Sequence, residues 1–183
     1  MGAQQDDGSS YGPELDSAMT KPHAVFHAPG HDHAPCEASA IAEAEALCTA
    51  RGARLTPLRR QVLETLVSGH KPLGAYEIMS RLGEDGARPA PITVYRALDF
   101  LLEHGLVHRL ASRNAFLACI HNHAAGDTVV FLICDHCGAV GEAPSAAIKA
   151  SLNEAAAKAG FAPKIPVIEV AGVCAHCRTT VSS

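Results

Sequence analysis

The pattern of hydrophobic and polar positions, together with helix propensity, predicts helices in four stretches of the chain. The alanine-rich stretch 38–51 predicts the first helix. A second helix is predicted from Pro57, with Thr56 as its N-cap and apolar residues three and four positions apart. A short helix over 73–83 and a longer one over 92–105 follow. The second and fourth patterns each bury one face of a helix and leave the other face polar.

The hydrophobic period then changes to that of β-strands. Residues 106–119 predict two short strands joined by a turn at 112–114. Helices followed by a β-hairpin, with arginines clustered among them, are typical of a winged helix-turn-helix. We therefore assign residues 38–119 to a winged helix and the polar stretch 120–127 to a hinge.

The remaining residues, 128–183, have the pattern of a second unit. Two strands, a helix and a third strand are predicted over residues 128–134, 139–143, 144–160 and 164–173. This order indicates a small α/β domain whose cysteines stand at the ends of strands. The predicted fold class is thus α+β, with a winged helix followed by an α/β domain.

Residues 1–37 are rich in Gly, Ser, Pro, Asp and Ala and have no hydrophobic period, which predicts a disordered tail. This segment carries five potential metal ligands, His23, His27, His31, His33 and Cys36. They allow two interpretations, a weak accessory metal site or an unstructured leader. The prolines and glycines between them leave the ligands without a fixed geometry, which favours the leader.

Composition narrows the class of protein. Of 183 residues 48% are hydrophobic, which is enough for a buried core. No apolar run approaches the roughly 18 residues that a membrane span needs. The N-terminus lacks a basic-then-apolar signal pattern, so we expect a cytoplasmic protein. Seven cysteines in such a chain indicate metal or thiol chemistry rather than disulfides.

Charge is unevenly distributed, although the formal net charge is only −4. Residues 1–50 hold one base against eight acids, whereas residues 51–113 hold ten bases, nine of them arginine, against six acids. Such a basic segment is suited to a phosphate-bearing partner. Charge alone equally allows a basic solvated surface.

Two Cys-x-x-Cys motifs, Cys134/Cys137 and Cys174/Cys177, carry the strongest chemical signal, and 36 residues separate them. Four thiolates from two such turns suit a closed, tetrahedral structural Zn²⁺ site. A redox dithiol is the alternative, but such motifs open a helix after a strand, whereas Gly138 and another strand follow the first pair. A zinc hydrolase or deaminase needs an open metal position, which four thiolates do not leave.

A second group of potential ligands lies beside the predicted hinge. Cys119 ends the hairpin, His121 and His123 follow it, and His108 lies on the paired strand. Mixed nitrogen and sulfur ligands suit Zn²⁺. A metal site between two domains would couple metal binding to their relative orientation.

The fourth helix presents Tyr95, Arg96 and Asp99 on the face opposite its apolar stripe. Arg96 can donate two hydrogen bonds to a guanine edge, and Tyr95 can contact a thymine methyl group or a phosphate. In a winged helix this face is expected to bind DNA; the alternative is an ordinary solvated face.

These motifs together resemble the ferric uptake regulator family of bacterial metalloregulators, and within it the zinc-responsive branch. The resemblance rests on "RLTPLRRQVLETL", "AYEIMSRL", "PITVYRALDFLLEHGLVH", "FLICDHCGAV" and "GVCAHC". It implies a homodimer with N-terminal winged helices and a C-terminal dimerisation domain. It further implies that zinc-loaded dimers bind an AT-rich inverted repeat and repress zinc-uptake genes, so that the protein is a regulator and not an enzyme.

The resemblance also implies roles for single residues, with about two zinc ions per chain. Cys134, Cys137, Cys174 and Cys177 match the family's structural zinc site. His108, Cys119 and Glu142 match three ligands of the zinc-sensing site.

The fourth sensing ligand is where this chain departs from the family. Without gaps its position falls on Asp127, but zinc already bound to a thiolate and an imidazole favours another imidazole. We therefore predict His123, with His121 as its substitute. An iron, manganese or nickel sensor is the alternative within the family. "TVVFLI" stands where other metal sensors of the family carry a His-rich run, which argues against an iron or a peroxide sensor.

The predicted DNA-binding set extends beyond the two residues already named on the fourth helix. It consists of Tyr95, Arg96, Thr93, Arg59 and Tyr76.

Overall fold

The computed structural model describes most of the chain from residue 34 onward. The described residues are 26, 34–69, 71–84, 88–119, 128–143, 146–163 and 167–181. Among them, no helix is both long enough and apolar enough to cross a membrane.

Four helices form the first unit. They are α1 (Ala34–Ala50), α2 (Pro57–Val67), α3 (Ala75–Leu82) and α4 (Pro91–Glu103). Their apolar stripes meet in one core, in which Leu63, Ile78 and Leu101 are almost fully buried. Gly52 and Gly105 follow α1 and α4 with φ of +64° and +70°, the left-handed conformation that ends many helices. The four predicted helices are confirmed.

The first helix starts earlier than its sequence pattern indicated. α1 begins at Ala34, inside the stretch that we had assigned to the tail. Pro35 is compatible with this start because the first helical turn does not need its missing N–H group. Of residues 1–33 the structure describes only Phe26, which packs against the buried cysteines Cys134, Cys174 and Cys177. The other tail residues of the prediction lie outside the described residues.

A β-hairpin completes the first unit. β1 (Val107–Leu110) pairs antiparallel with β2 (Ala115–Ala118), so that His108 lies opposite Leu117. Asn114 closes the connecting turn with φ of 47°, a conformation that asparagine tolerates better than most residues. The predicted hairpin and its turn are confirmed.

The second unit is a three-stranded sheet with two helices. Its elements are β3 (Val129–Cys134), β4 (Val140–Ala143), α5 (Ala146–Lys158), β5 (Val167–Gly172) and α6 (Ala175–Val181). β3 lies in the middle, antiparallel to β4 and parallel to β5. Five of the six residues of β3 are buried, which explains its unbroken apolar run. The helix α6 begins within the second Cys-x-x-Cys motif and was not predicted.

The hairpin packs on one face of this sheet. Residues of both units share a buried apolar cluster, which comprises Leu110, Leu117, Val129, Phe131, Ile133 and Val140. Because side chains alternate along a strand, one face of the hairpin and one face of the sheet supply this cluster. The fold therefore brings the end of the winged helix against the second unit.

Candidate metal centres

The four cysteines of the two Cys-x-x-Cys motifs come together in one cluster. Among the residues that the structure describes, only this group of three or more potential metal ligands has all its ligand atoms within 4.8 Å of one another. The Sγ atoms of Cys137 and Cys174 are 3.9 Å apart. A tetrahedral ion with Zn–S bonds near 2.3 Å spaces its sulfurs by about 3.8 Å. The cluster therefore fits one zinc ion.

The pairing of β3 with β5 explains how distant motifs meet. Cys134, the last residue of β3, lies opposite Gly172, the last residue of β5. Gly138, with φ of +74°, donates its N–H to the Cys134 carbonyl and closes the first turn. Two backbone N–H groups also point at sulfur, from Cys174 to Cys134 at 3.4 Å and from Cys177 to Cys174 at 3.5 Å.

The environment of the sulfurs separates their pKa values. Backbone N–H groups, that of Cys174 foremost, lower the pKa of Cys134 to about 6. Burial, together with the neighbouring sulfurs, raises the pKa of Cys177 to about 12. One thiolate therefore forms readily and opposes ionisation of its neighbour. A cation that binds all four sulfurs must release protons, so its affinity falls as pH falls.

The second group of predicted ligands lies at the junction of the two units. The N–H of Cys119 donates to the Leu106 carbonyl at 3.0 Å, which continues the hairpin register. This register places His108 and Cys119 on the same face of the hairpin. The His108 ring meets the Phe131 ring edge-on, with centroids 5.1 Å apart.

Glu142 lies on the sheet side of the same junction between the two units. It lies opposite Phe131 in the β3–β4 register and therefore on the sheet face that the hairpin covers. His108 Nε2 and Glu142 Oε1 are both buried. His108, Cys119 and Glu142 thus surround the junction, although their ligand atoms do not all lie within 4.8 Å of one another. The remaining predicted ligands, His121, His123 and Asp127, lie outside the described residues.

Four of the five predicted DNA-binding residues are exposed around the N-terminal parts of α3 and α4. Tyr76 is 78% exposed and Tyr95 41%, and Thr93 and Arg96 are also exposed. Ile92 is a neighbour that the sequence analysis missed, 60% exposed although apolar. Its position off the apolar stripe of α4 was the available signal.

Arg59, the fifth residue of that set, is engaged within the fold. Its guanidinium lies 3.5 Å above the centre of the Phe100 ring. It also donates to the Arg54 carbonyl at 2.6 Å. Both contacts lie within the winged helix, one to α4 and the other to the segment before α2.

Known proteins are similar to this chain over most of its length. The Zinc uptake regulation protein of Escherichia coli K12 is 41% identical over 137 residues, which cover 75% of this chain and 80% of that protein. A solved zinc uptake regulator complexed with zinc and DNA matches with a TM-score of 0.75 and 38% identity, covering 80% of this chain and 98% of that one. The crystal structure of holo XcZur matches with a TM-score of 0.71 and 42% identity, covering 77% and 98%. The sequence pattern of the ferric uptake regulator family matches residues 50–170, and this chain therefore belongs to that family.

Proposed function

We propose that the protein is a zinc-responsive transcriptional repressor, which binds operator DNA as a zinc-loaded homodimer and represses zinc-uptake genes. It is a regulator and not an enzyme, and it acts in the cytoplasm. The proposal is supported by the positions of His108 and Cys119 on the hairpin and of Glu142 on the sheet, which are side chains of types that can bind zinc, on the two sides of the junction between the units. The similarity to zinc uptake regulators supports zinc as the metal and DNA as the partner.

Two sets of residues would hold about two zinc ions per chain. Cys134, Cys137, Cys174 and Cys177 would hold a structural ion. The sensing ion would be held by His108, Cys119, Glu142 and, from the hinge, His123 or its substitute His121. When bound, the sensing ion supplies a link between hairpin and sheet.

The chain's own residues convert that link into DNA binding. His108 and Cys119 lie on the hairpin and Glu142 lies on β4, so an ion that binds all three would favour a packing of the winged helix on the sheet that brings these side chains together. A ligand that favours one arrangement of two domains shifts the population toward it. In a dimer the angle of each winged helix determines whether the two α4 helices reach successive major grooves.

The surface of the second unit supports the homodimer. α5 has no buried residue in the single chain, and β5 is an edge strand of the sheet. Several apolar side chains of the second unit are exposed, namely Ile148, Phe161, Val167, Val170 and Val173. An apolar edge strand pairs readily with another chain, and a second copy of this unit would cover both features.

Zinc should support operator binding at the lowest free concentration among the candidate metals. A duplex selected by binding from a random library would serve as the operator probe, with metal-buffered Zn²⁺, Fe²⁺, Mn²⁺ or Ni²⁺. Thiolate and imidazole ligands favour zinc over iron and manganese at equal free concentration. Fluorescence anisotropy measures binding, and the metal-free protein is the control. Operator binding at a lower free concentration of another ion would contradict zinc as the proposed metal.

Replacing Arg96 by alanine should weaken operator binding without changing zinc content. Arg96 is exposed on α4, and in the part of the chain that the structure describes no hydrogen bond or ion pair engages it. A lost bidentate base contact costs about 1–3 kcal/mol, or roughly five- to 150-fold in affinity. Arg81→Ala is the matched control, because Arg81 on α3 pairs with Glu77 at 3.0 Å. Equal losses of operator affinity in both variants would be explained by the lost positive charge alone and would contradict a base contact by Arg96.

A further inference from the structure

One carboxylate of the second unit holds the tip of the hairpin. Glu169 Oε1 accepts the N–H of Ala111 at 2.7 Å, and its Oε2 accepts the N–H of Ser112 at 3.1 Å. The Ser112 hydroxyl donates to the same Oε2. Three donors of one turn therefore converge on one side chain that lies 57 and 58 positions further along the chain.

The position of Glu169 follows from the strand register. It lies opposite Phe131 in the parallel β3–β5 pair, and therefore on the sheet face that the hairpin covers. Only a carboxylate can accept on both oxygens, because a glutamine amide has one acceptor and one donor group. Burial alone would raise the pKa of Glu169, but the hydrogen bonds from Ser112 and Ala111 outweigh it and lower the pKa below its ordinary value. The side chain is thus ionised in this contact.

Two further contacts hold the same edge of the junction. The guanidinium of Arg113, at the end of the turn, pairs with the carboxylate of Asp135 in the first cysteine turn. Beneath the turn, Leu110 and Leu117 pack in the apolar cluster with Phe131. Glu169, Ala111 and Ser112 are not members of either proposed zinc site. Their hydrogen bonds therefore favour this arrangement of the two units independently of metal coordination.

We propose that Glu169 is a positioning residue for DNA binding, which holds the hairpin tip through Ala111 and Ser112 and so keeps the winged helix at the angle that the operator requires. We call this set of three residues the Glu169 latch. The inference rests on the proposed function, because the angle matters only if the zinc-loaded dimer binds DNA.

The latch and the sensing zinc act on one equilibrium between domain arrangements. Each stabilises the same arrangement of the two units. A protein with a weaker latch therefore needs a higher free zinc concentration to reach that arrangement. The sign of the effect separates this idea from simple electrostatics. Removing a negative charge from a DNA-binding protein should strengthen its binding to phosphates, whereas loss of the latch should weaken it.

The test compares Glu169→Gln with Glu43→Gln in the full-length, zinc-loaded dimer. Glu43 lies exposed on α1, where it accepts a hydrogen bond from the Ser39 hydroxyl, so its replacement removes the same charge without affecting the turn. We expect Glu169→Gln to bind operator about tenfold more weakly and to need a several-fold higher free zinc concentration, because charge-assisted hydrogen bonds are lost. Glu43→Gln should bind as tightly as the parent protein or slightly more tightly.

A second readout follows the contact itself. Amide hydrogen exchange at Ala111 and Ser112 should accelerate in Glu169→Gln and stay unchanged in Glu43→Gln, because a glutamine leaves these two N–H groups one acceptor oxygen instead of two. Ser112→Ala keeps both backbone hydrogen bonds and should weaken operator binding only about two- to threefold, since it loses one hydroxyl contact. This milder variant tests the latch even if Glu169→Gln folds poorly.

The outcomes distinguish the latch from the proposed function. Unchanged operator affinity and zinc dependence in Glu169→Gln and Ser112→Ala would overturn the latch, while a zinc response in the parent protein would leave the function intact. Failure of the parent protein and of Glu43→Gln to respond to zinc would instead overturn the function, and with it the role of the latch in DNA binding.

Discussion

Replacing Cys174 by serine should remove the structural zinc ion, disorder the second unit and dissociate the dimer. Cys174 is buried at the centre of the cluster, where its sulfur lies 3.9 Å from that of Cys137 and accepts the N–H of Cys177. A serine hydroxyl is shorter and does not ionise near neutral pH, so the fourth ligand would be lost. Structural zinc contributes about 10–16 kcal/mol to folding in zinc-finger peptides. This exceeds or matches the roughly 5–15 kcal/mol by which whole domains are stable.

Zinc quantification, sedimentation velocity and circular dichroism of the reduced protein would check this prediction. The zinc content should fall from about two ions per chain to one or none, with loss of the dimer and of operator binding. His176→Ala is a matched control, because His176 lies exposed between Cys174 and Cys177 and outside the cluster. A stable, fully zinc-loaded dimer of Cys174→Ser would contradict the structural site. Parent protein that is purified without zinc would favour the alternative of a redox dithiol.

The sequence predicted those parts of the fold that depend on local periodicity. The helices α2, α3 and α4 and the hairpin were predicted from local sequence patterns. The start of α1 was placed too late because the segment before residue 38 has no apolar period, although its backbone is helical from Ala34. α6 was missed because it has only seven residues and begins inside a motif that we interpreted as a turn.

The candidate sites show a second limit, set by long-range contacts. The four cysteines could be predicted as one metal site because each pair has the regular spacing of a Cys-x-x-Cys motif. Glu142 has no such signal, and only the family resemblance pointed to it, since its place beside Phe131 depends on the β3–β4 register. Glu169 was missed altogether, because its partners at the hairpin tip are defined only when β5 pairs with β3 and the two units pack.

Replacing Cys119 by serine should abolish zinc-dependent operator binding and leave a folded dimer that keeps its structural zinc. Cys119 follows β2, and its backbone N–H, not its side chain, continues the hairpin register with Leu106. The substitution therefore preserves the backbone but removes the one soft ligand of the sensing set. Moving a two-state equilibrium from 1:99 to 99:1 requires about 10⁴-fold preferential binding to one state. A site without its thiolate cannot supply that preference at the same free zinc concentration.

Anisotropy titrations of operator binding against buffered zinc, together with zinc counting, would measure the effect. The variant should retain about one zinc ion per chain, sediment as a dimer and show at least about 100-fold weaker zinc dependence, in line with the loss of a metal ligand. Cys48→Ala is the control, because Cys48 is buried in the core of the winged helix and away from the junction. A variant that still responded to zinc like the parent protein would exclude Cys119 as a sensing ligand. Loss of the response with the structural ion and the dimer retained would instead separate the two sites, since one ion would then hold the fold and the other would control DNA binding.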